Sequence, residues 1–333
     1  VNAYFYIRIL AAPAALGQMV LFGWFFGRQN ARFPLVLTLL INVVNMGLSY
    51  YLVHTAKWEI QGVAWGTVGA QYLGLLAGLG LLWLEIQRLN GKPEGQGRPL
   101  KSSTPHLRPR PEKPSLKEFL SINRDIFIRT FCLTLSFIFF YNRANASEVG
   151  EAVIAANVIL LQLVNWLSYG TDGFAFAAES LVGKYRGAGK PETLRHVIRL
   201  IFIWGMALAV LYALVYAMGN EALLRLFAPE DSAPGTLRAA MEYLPMIVVF
   251  CLLATPCYLL DGIFVGLTAA RAMRQTMLVS FAGYLLVYYL LGQHYGNWGL
   301  WGSLTFFMVL RAVTMGREYR KIEYRMIESY KSE

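Results

Sequence analysis

Residues 21–34 read LFGWFFGRQNARFP, and residues 260–273 read LDGIFVGLTAARAM. With the second stretch slid back by 239 positions, Gly23 falls on Gly262, Gly27 on Gly266, Ala31 on Ala270 and Arg32 on Arg271. Tyr4 then meets Tyr243, and further on GVAWGT (62–67) is answered by GLWGS (299–303) with one residue deleted. Each copy lies at a junction between two apolar runs. The pattern is that of an internal repeat of a helical membrane bundle, and parallel repeats of this kind are a transporter architecture.

Composition agrees. The chain of 333 residues is 56% hydrophobic and 15% charged, with a mean hydropathy of +0.44, whereas soluble domains carry about 25% charged residues. Nine helical spans are expected, at 3–24, 34–54, 61–84, 120–141, 150–178, 195–217, 238–260 (or on to 269), 273–291 and 298–316, each close to the length that crosses a hydrocarbon core. Residues 85–118, with LNGKPEGQGRPLKSSTPHLRPRPEKPSLKE, are rich in Pro, Gly and charge and read as a polar linker. The expected division is a partial first lobe at 1–84, the linker, a second lobe of six spans at 119–316 and a tail at 317–333. The repeat unit is then six spans long, and the first copy supplies its last three. A chain that starts near the fourth of twelve helices is expected.

The net charge of +10 does not indicate nucleic acid, because the basic residues sit in short connections. Of the 30 Lys and Arg, 22 fall on one side of the nine spans and four on the other. By the positive-inside rule the linker and the C-terminus are cytoplasmic. Cys132, Cys251 and Cys257 lie in apolar runs without metal-ligand spacing. They are expected to be packing residues, with no metal site and no cofactor. No HExxH or GxSxG motif occurs, and GKYRGAGKP (183–191) has Lys184 where a phosphate loop needs its first Gly and Pro191 where it needs Ser or Thr. An enzyme is not expected.

Several stretches resemble one family. YFYIRILAAPAALGQMVLFGWFFGRQNARFP (4–34), NVVNMGLSYYLV (42–53) and GVAWGTVGAQ (62–71) resemble the fourth to sixth helices of MATE (multidrug and toxic compound extrusion) transporters. NRDIFIRTF, YGTDGFAFAAESLVGKYRGAG, CYLLDGIFVGLTAARAMRQ and GLWGSLTFFMVLRA resemble its DinF-like branch. The resemblance implies an all-α polytopic membrane protein of two parallel-repeat bundles, nine of whose twelve spans are present. It also implies xenobiotic efflux: export of small organic, cationic or amphipathic compounds by antiport, from the inner membrane of a bacterium, as a monomer. A flippase for lipid-linked oligosaccharides, from the same wider superfamily, is the alternative; a cationic central cavity would indicate it.

Ionisable residues inside spans are functional candidates because charge in hydrocarbon is costly. Asp261 and Asp172 qualify. If its helix runs on towards Arg271, Asp261 sits roughly 15 Å deep at 1.5 Å per residue; if the helix stops at Gly262, it is an interfacial charge. Asp172 is either a proton-titrating or substrate-facing carboxylate, or a structural partner of Arg129 or another buried cation. Glu179 is read as interfacial, and Arg8 as an anchor near the outer edge. The resemblance places Asn42, Asn45 and Thr67 at cavity-lining positions. Asn157 and Gln162 are candidates for the same cleft, with helix packing as the other reading. Many relatives carry an acid where Ser49 stands, and sodium-coupled ones carry an acid in the helix that here reads FCLTLSFIFFY. Both departures favour protons over sodium as the coupling ion.

Overall fold

The computed structural model describes residues 2–90, 115–146, 150–228 and 234–331. Ten α-helices and one 3-10 turn make up its regular structure, with no strand among the described residues. They divide into two compact units, Val1–Glu112 and Lys113–Glu333.

In the first unit, α1 (Asn2–Ile9) and α2 (Ala12–Gly27) form one expected span broken by 41°. Pro13 explains the break: it offers no N–H, and its ring excludes the carbonyl four residues back, that of Ile9. α3 (Arg32–His54) and α4 (Glu59–Asn90) follow. α4 buries Gly62, Gly66, Ala70, Gly74 and Gly78 along one stripe. A Cβ on Gly62 would stand 3.1 Å from the Leu52 backbone, and one on Gly66 would stand 2.8 Å from the Ser49 nitrogen. Small residues at a four-residue period let two helix backbones approach, which is the main source of association where lipid is as apolar as the side chains.

The second unit holds α5 (Leu116–Ala144), α6 (Glu151–Gly187), α7 (Pro191–Arg225), α8 (Thr236–Gly266), α9 (Ala270–Leu290) and α10 (Gly296–Lys331). A 3-10 turn, Gly292–Tyr295, joins the last two. α8 is the central element and packs against α6, α7 and α10. Its buried face includes Ile247, Phe250, Ala254, Leu259 and Ile263. The three cysteines are free and buried.

The repeated sentence is repeated in the backbone. α2 and α8 end on the equivalent glycines, Gly27 and Gly266. The next three amides bond back in the same order: Arg28 to Trp24, Gln29 to Phe26 and Asn30 to Phe25, against Leu267 to Ile263, Thr268 to Val265 and Ala269 to Phe264. Gln29 (φ 61°) and Thr268 (φ 48°) both occupy the left-handed region, which terminates a helix and satisfies its last carbonyls. A third copy of this turn closes α6, with Gly189 (φ 64°) in the left-handed place.

Every expected span has a helix, but the count of nine spans is not confirmed. Seven helices are long and apolar enough to cross a membrane, or eight if α1 and α2 count as one span. The helix that falls short is α9, whose 21 residues include Arg271, Arg274, Gln275, Thr276 and Ser280. The expected tail is no separate segment, since α10 runs without interruption through Lys331. Most of the expected linker, residues 91–114, lies outside the described residues; what is described of it is the end of α4 and the start of α5.

Candidate functional site

The charges of the second unit meet in pairs that tie its helices together. On α5, Asp125 and Arg129 are one turn apart and share a face. Asp125, 4% exposed, takes Arg274 of α9 as its partner. Arg129 reaches α8, where its Nη2 lies 2.6 Å from Oδ2 of Asp261. Arg311 of α10 donates to that same oxygen at 2.8 Å. Asp261 is therefore held by two guanidinium groups from two other helices. Arg311 is 1% exposed, and its guanidinium also lies 5.4 Å from the Phe307 ring centre.

This settles the position of Asp261. α8 continues past Gly262 to Gly266, so Asp261 is inside the helix, about 7 Å from its end. It is not an end charge. Its second oxygen, Oδ1, is buried with no hydrogen-bond donor among the described residues, and the Nε atoms of Arg129 and Arg311 likewise have no acceptor. A buried carboxylate oxygen left open can accept a proton or a donor from a ligand.

Asp172 comes from α6, half-buried, and lies within electrostatic reach of Asp261 and of Tyr258. Arg129 pairs with Asp261, not with Asp172. Asp172 makes no ion pair among the described residues. The close α6–α8 approach beside these acids rests on Gly262, where a Cβ would come within 2.7 Å of the Ala175 Cα. Gly266 repeats the approach one turn on, against the Glu179 carbonyl oxygen.

The other candidates are dispersed. Asn157 is 1% exposed and serves packing: its Nδ2 donates to Asn297 Oδ1 (2.9 Å), while its Oδ1 accepts from Asn297 Nδ2 (3.0 Å) and Trp301 Nε1 (2.9 Å). Gln162 is on the exposed side of α6. Thr67 is nearly buried, with its hydroxyl on the Val63 carbonyl. Asn45 accepts from Ser49, Asn42 is exposed, and Arg8 lines a groove of about 300 Å³ beside Gln71. Arg129 and Arg311 are the residues that sequence reasoning underused. Their signal was the one applied to the acids, a charge inside an apolar run, and the charges around Asp261 are two carboxylates together with two guanidiniums.

Asn157→Leu should destabilise the second unit, because it removes both hydrogen bonds between Asn157 and the Asn297 amide and leaves the Trp301 indole N–H buried without its acceptor. The expected cost is about 1–3 kcal/mol per orphaned group, read as a lower midpoint of thermal unfolding in detergent. Asn157→Leu combined with Asn297→Leu should recover part of it.

Comparison with known proteins agrees with the fold and with the sequence resemblance. Residues 128–292, from α5 to the end of α9, match the MatE family. The chain is 34% identical to DNA damage-inducible protein F of Escherichia coli (strain K12), over 95% of this chain and 65% of that protein. Among solved structures it superposes on a MOP-superfamily transporter from Pyrococcus furiosus, whose binding pocket has reversed polarity, with a TM-score of 0.80, 15% identity and coverage of 97% of this chain and 70% of the other. The Vibrio cholerae MATE transporter VcmN in its bent form gives 0.77 at 17% identity, over 97% and 69%. The chain spans between 41% and 65% of the length of the curated relatives it matches. The likeness to the MatE family is carried by residues 128–292, within a multi-pass membrane protein seven of whose helices are long and apolar enough to cross a bilayer.

Proposed function

We propose that this protein carries the cargo and coupling machinery of an efflux transporter for small organic compounds, cationic or amphipathic, driven by inward movement of protons. The proposed setting is a bacterial plasma membrane, with the 85–118 segment on the cytoplasmic side and the protein acting as a monomer. The observation that carries the reading is the pair of carboxylates at the α6–α8 contact, one clamped and one not. Asp261 already has two guanidinium partners on one oxygen, so its charge is committed to holding α5, α8 and α10. Asp172 has no such partner among the described residues and is the group free to trade a proton for a cationic cargo. Antiport needs that competition, because each ligand must shift the binding of the other. The order of the two acids is thus the reverse of the one depth alone suggests.

The flippase reading draws support from Arg129 and Arg311, which bring positive charge to the same depth. Two guanidiniums against two carboxylates leave the group formally neutral, and a lipid-pyrophosphate cargo needs an excess of positive charge. Efflux is therefore the better reading.

Asp172→Asn is expected to abolish uptake of a fluorescent organic cation into everted vesicles, the direction of export, under an imposed pH gradient, with thermal stability kept within about 0.5 kcal/mol. Asp172→Glu should retain part of the activity. A sodium gradient alone should drive nothing. Wild-type export by Asp172→Asn across pH 6–8 would remove the proposed proton site.

A further inference from the structure

We infer that, on the proposed topology in which this face is cytoplasmic, the groove between the start of α9 and the C-terminal half of α10 is a binding site for a membrane phospholipid with an anionic headgroup. The groove encloses about 470 Å³ and lies away from the Asp261 site. Its lining includes Gln275, Thr276 and Val279 on α9 and Arg317, Arg320 and Lys321 on α10. Arg317 and Arg320 are exposed and make no ion pair among the described residues. Lys321 pairs with Glu318, which also lines the groove, but an exposed pair of this kind is worth under about 1 kcal/mol and yields to a better partner. Three cations against one carboxylate leave the groove strongly positive.

The second observation is what lies next to this charge. One helical turn inward from Gln275 stands Val279, 57% exposed, and one turn inward from Arg317 stands Val313, 45% exposed. Leu278, beside Val279, is 44% exposed. Each helix therefore presents exposed apolar surface one turn from its polar groove residues, and Val279 lines the groove itself. The Thr276 and Thr314 hydroxyls donate to carbonyls of their own helices, so the donors that face the groove are the cationic groups and the Gln275 amide. A positive rim above an apolar wall fits a phosphate headgroup with its acyl chains below. A soluble anion would use the rim and gain nothing from the wall. Basic pockets between helices on the cytoplasmic side bind anionic headgroups for this reason, at about 1 kcal/mol per Lys or Arg near the surface.

The test is lipid titration of the detergent-purified full chain, with bound lipids counted by native mass spectrometry. Phosphatidylglycerol should bind more tightly than phosphatidylcholine of the same chain length. The triple variant Arg317→Gln, Arg320→Gln, Lys321→Gln should weaken phosphatidylglycerol about tenfold or more, as the loss of three surface cations predicts, and leave phosphatidylcholine unchanged. Val279→Ser should also weaken phosphatidylglycerol, since the chains lose their wall. A control pair at the start of α7, Lys190→Gln just before it with Arg199→Gln on it, should have no effect. The inference is overturned if the control pair weakens binding as much as the triple variant, if the triple variant binds like the wild type, or if excess inorganic phosphate displaces the lipid.

Discussion

Asp261→Asn should be among the most destabilising single substitutions in the second unit, at about 3–5 kcal/mol. The substitution keeps the shape of the side chain and removes its charge. Two guanidiniums then face one another across a neutral amide, one of them on a residue that is 1% exposed. Breaking a buried pair from one side costs more than the pair is worth, because the desolvation of the remaining charge is no longer compensated. Thermal unfolding in detergent should show a clearly lowered midpoint. The triple replacement Arg129→Met, Asp261→Leu, Arg311→Met should return most of the lost stability, since an apolar cluster of similar volume has no charge to desolvate. If Asp261→Asn unfolds with the wild-type midpoint, the two guanidiniums are hydrated in place and the clamp stabilises nothing. The contrast with Asp172→Asn separates the roles: one should cost stability, the other transport alone.

Gly262→Val is the second large effect. The Cβ of any residue at this position would press on the backbone of α6 at Ala175, and backbone cannot step aside as a side chain can. Overfilling a packed contact costs about 1–3 kcal/mol and sometimes more; here two long helices have to separate, so the upper end or beyond is expected. Folded protein recovered from membranes should fall sharply. Gly173→Ala is the matching control, because a Cβ there meets nothing within 4 Å and alanine favours the helix by roughly 0.5–1 kcal/mol. If Gly262→Val folds in normal yield and both valine and wild type export alike, the α6–α8 approach is not what positions the acids.

Much of this fold is legible in the residues, for reasons that can be named. Apolar runs give the helices because hydrocarbon leaves a backbone few other ways to satisfy its N–H and C=O groups. The Gly-x₃-Gly-x₃-Ala-Arg sentence marks a real repeat because a helix end with a left-handed residue constrains the sequence on both sides of the turn. α9 shows the limit: a helix that buries polar side chains such as Thr276 and Ser280 against its neighbours does not need the hydropathy of a lipid-facing one. The break at Pro13 is a local steric fact and could have been read from the proline.

The site was legible only in part. Asp261 and Asp172 stand out as charges in apolar runs, and they lie within electrostatic reach of one another. Which cation each acid faces is decided by the rotation of four helices about their axes, and one sequence does not fix those angles. Arg311 was visible by the same rule yet sits only a few residues from the end of its expected span, where a snorkelling arginine looks the same. Asn157 differs from Gln162 by a change of face on α6 that periodicity could not assign.

One unbroken helix carries both ends of this chemistry. α10 runs 36 residues from Gly296 to Lys331, roughly 54 Å at 1.5 Å per residue, against a hydrocarbon thickness of about 30 Å. Arg311, locked to Asp261, and Arg317, on the rim of the lipid groove, are six residues apart on that rod. A stiff shaft has no joint in which to absorb a twist, so a quarter-turn at the Asp261 lock would swing Arg317 and Arg320 by the same angle. The composition of the surrounding leaflet and the occupancy of the lock would then act as two hands on one axle.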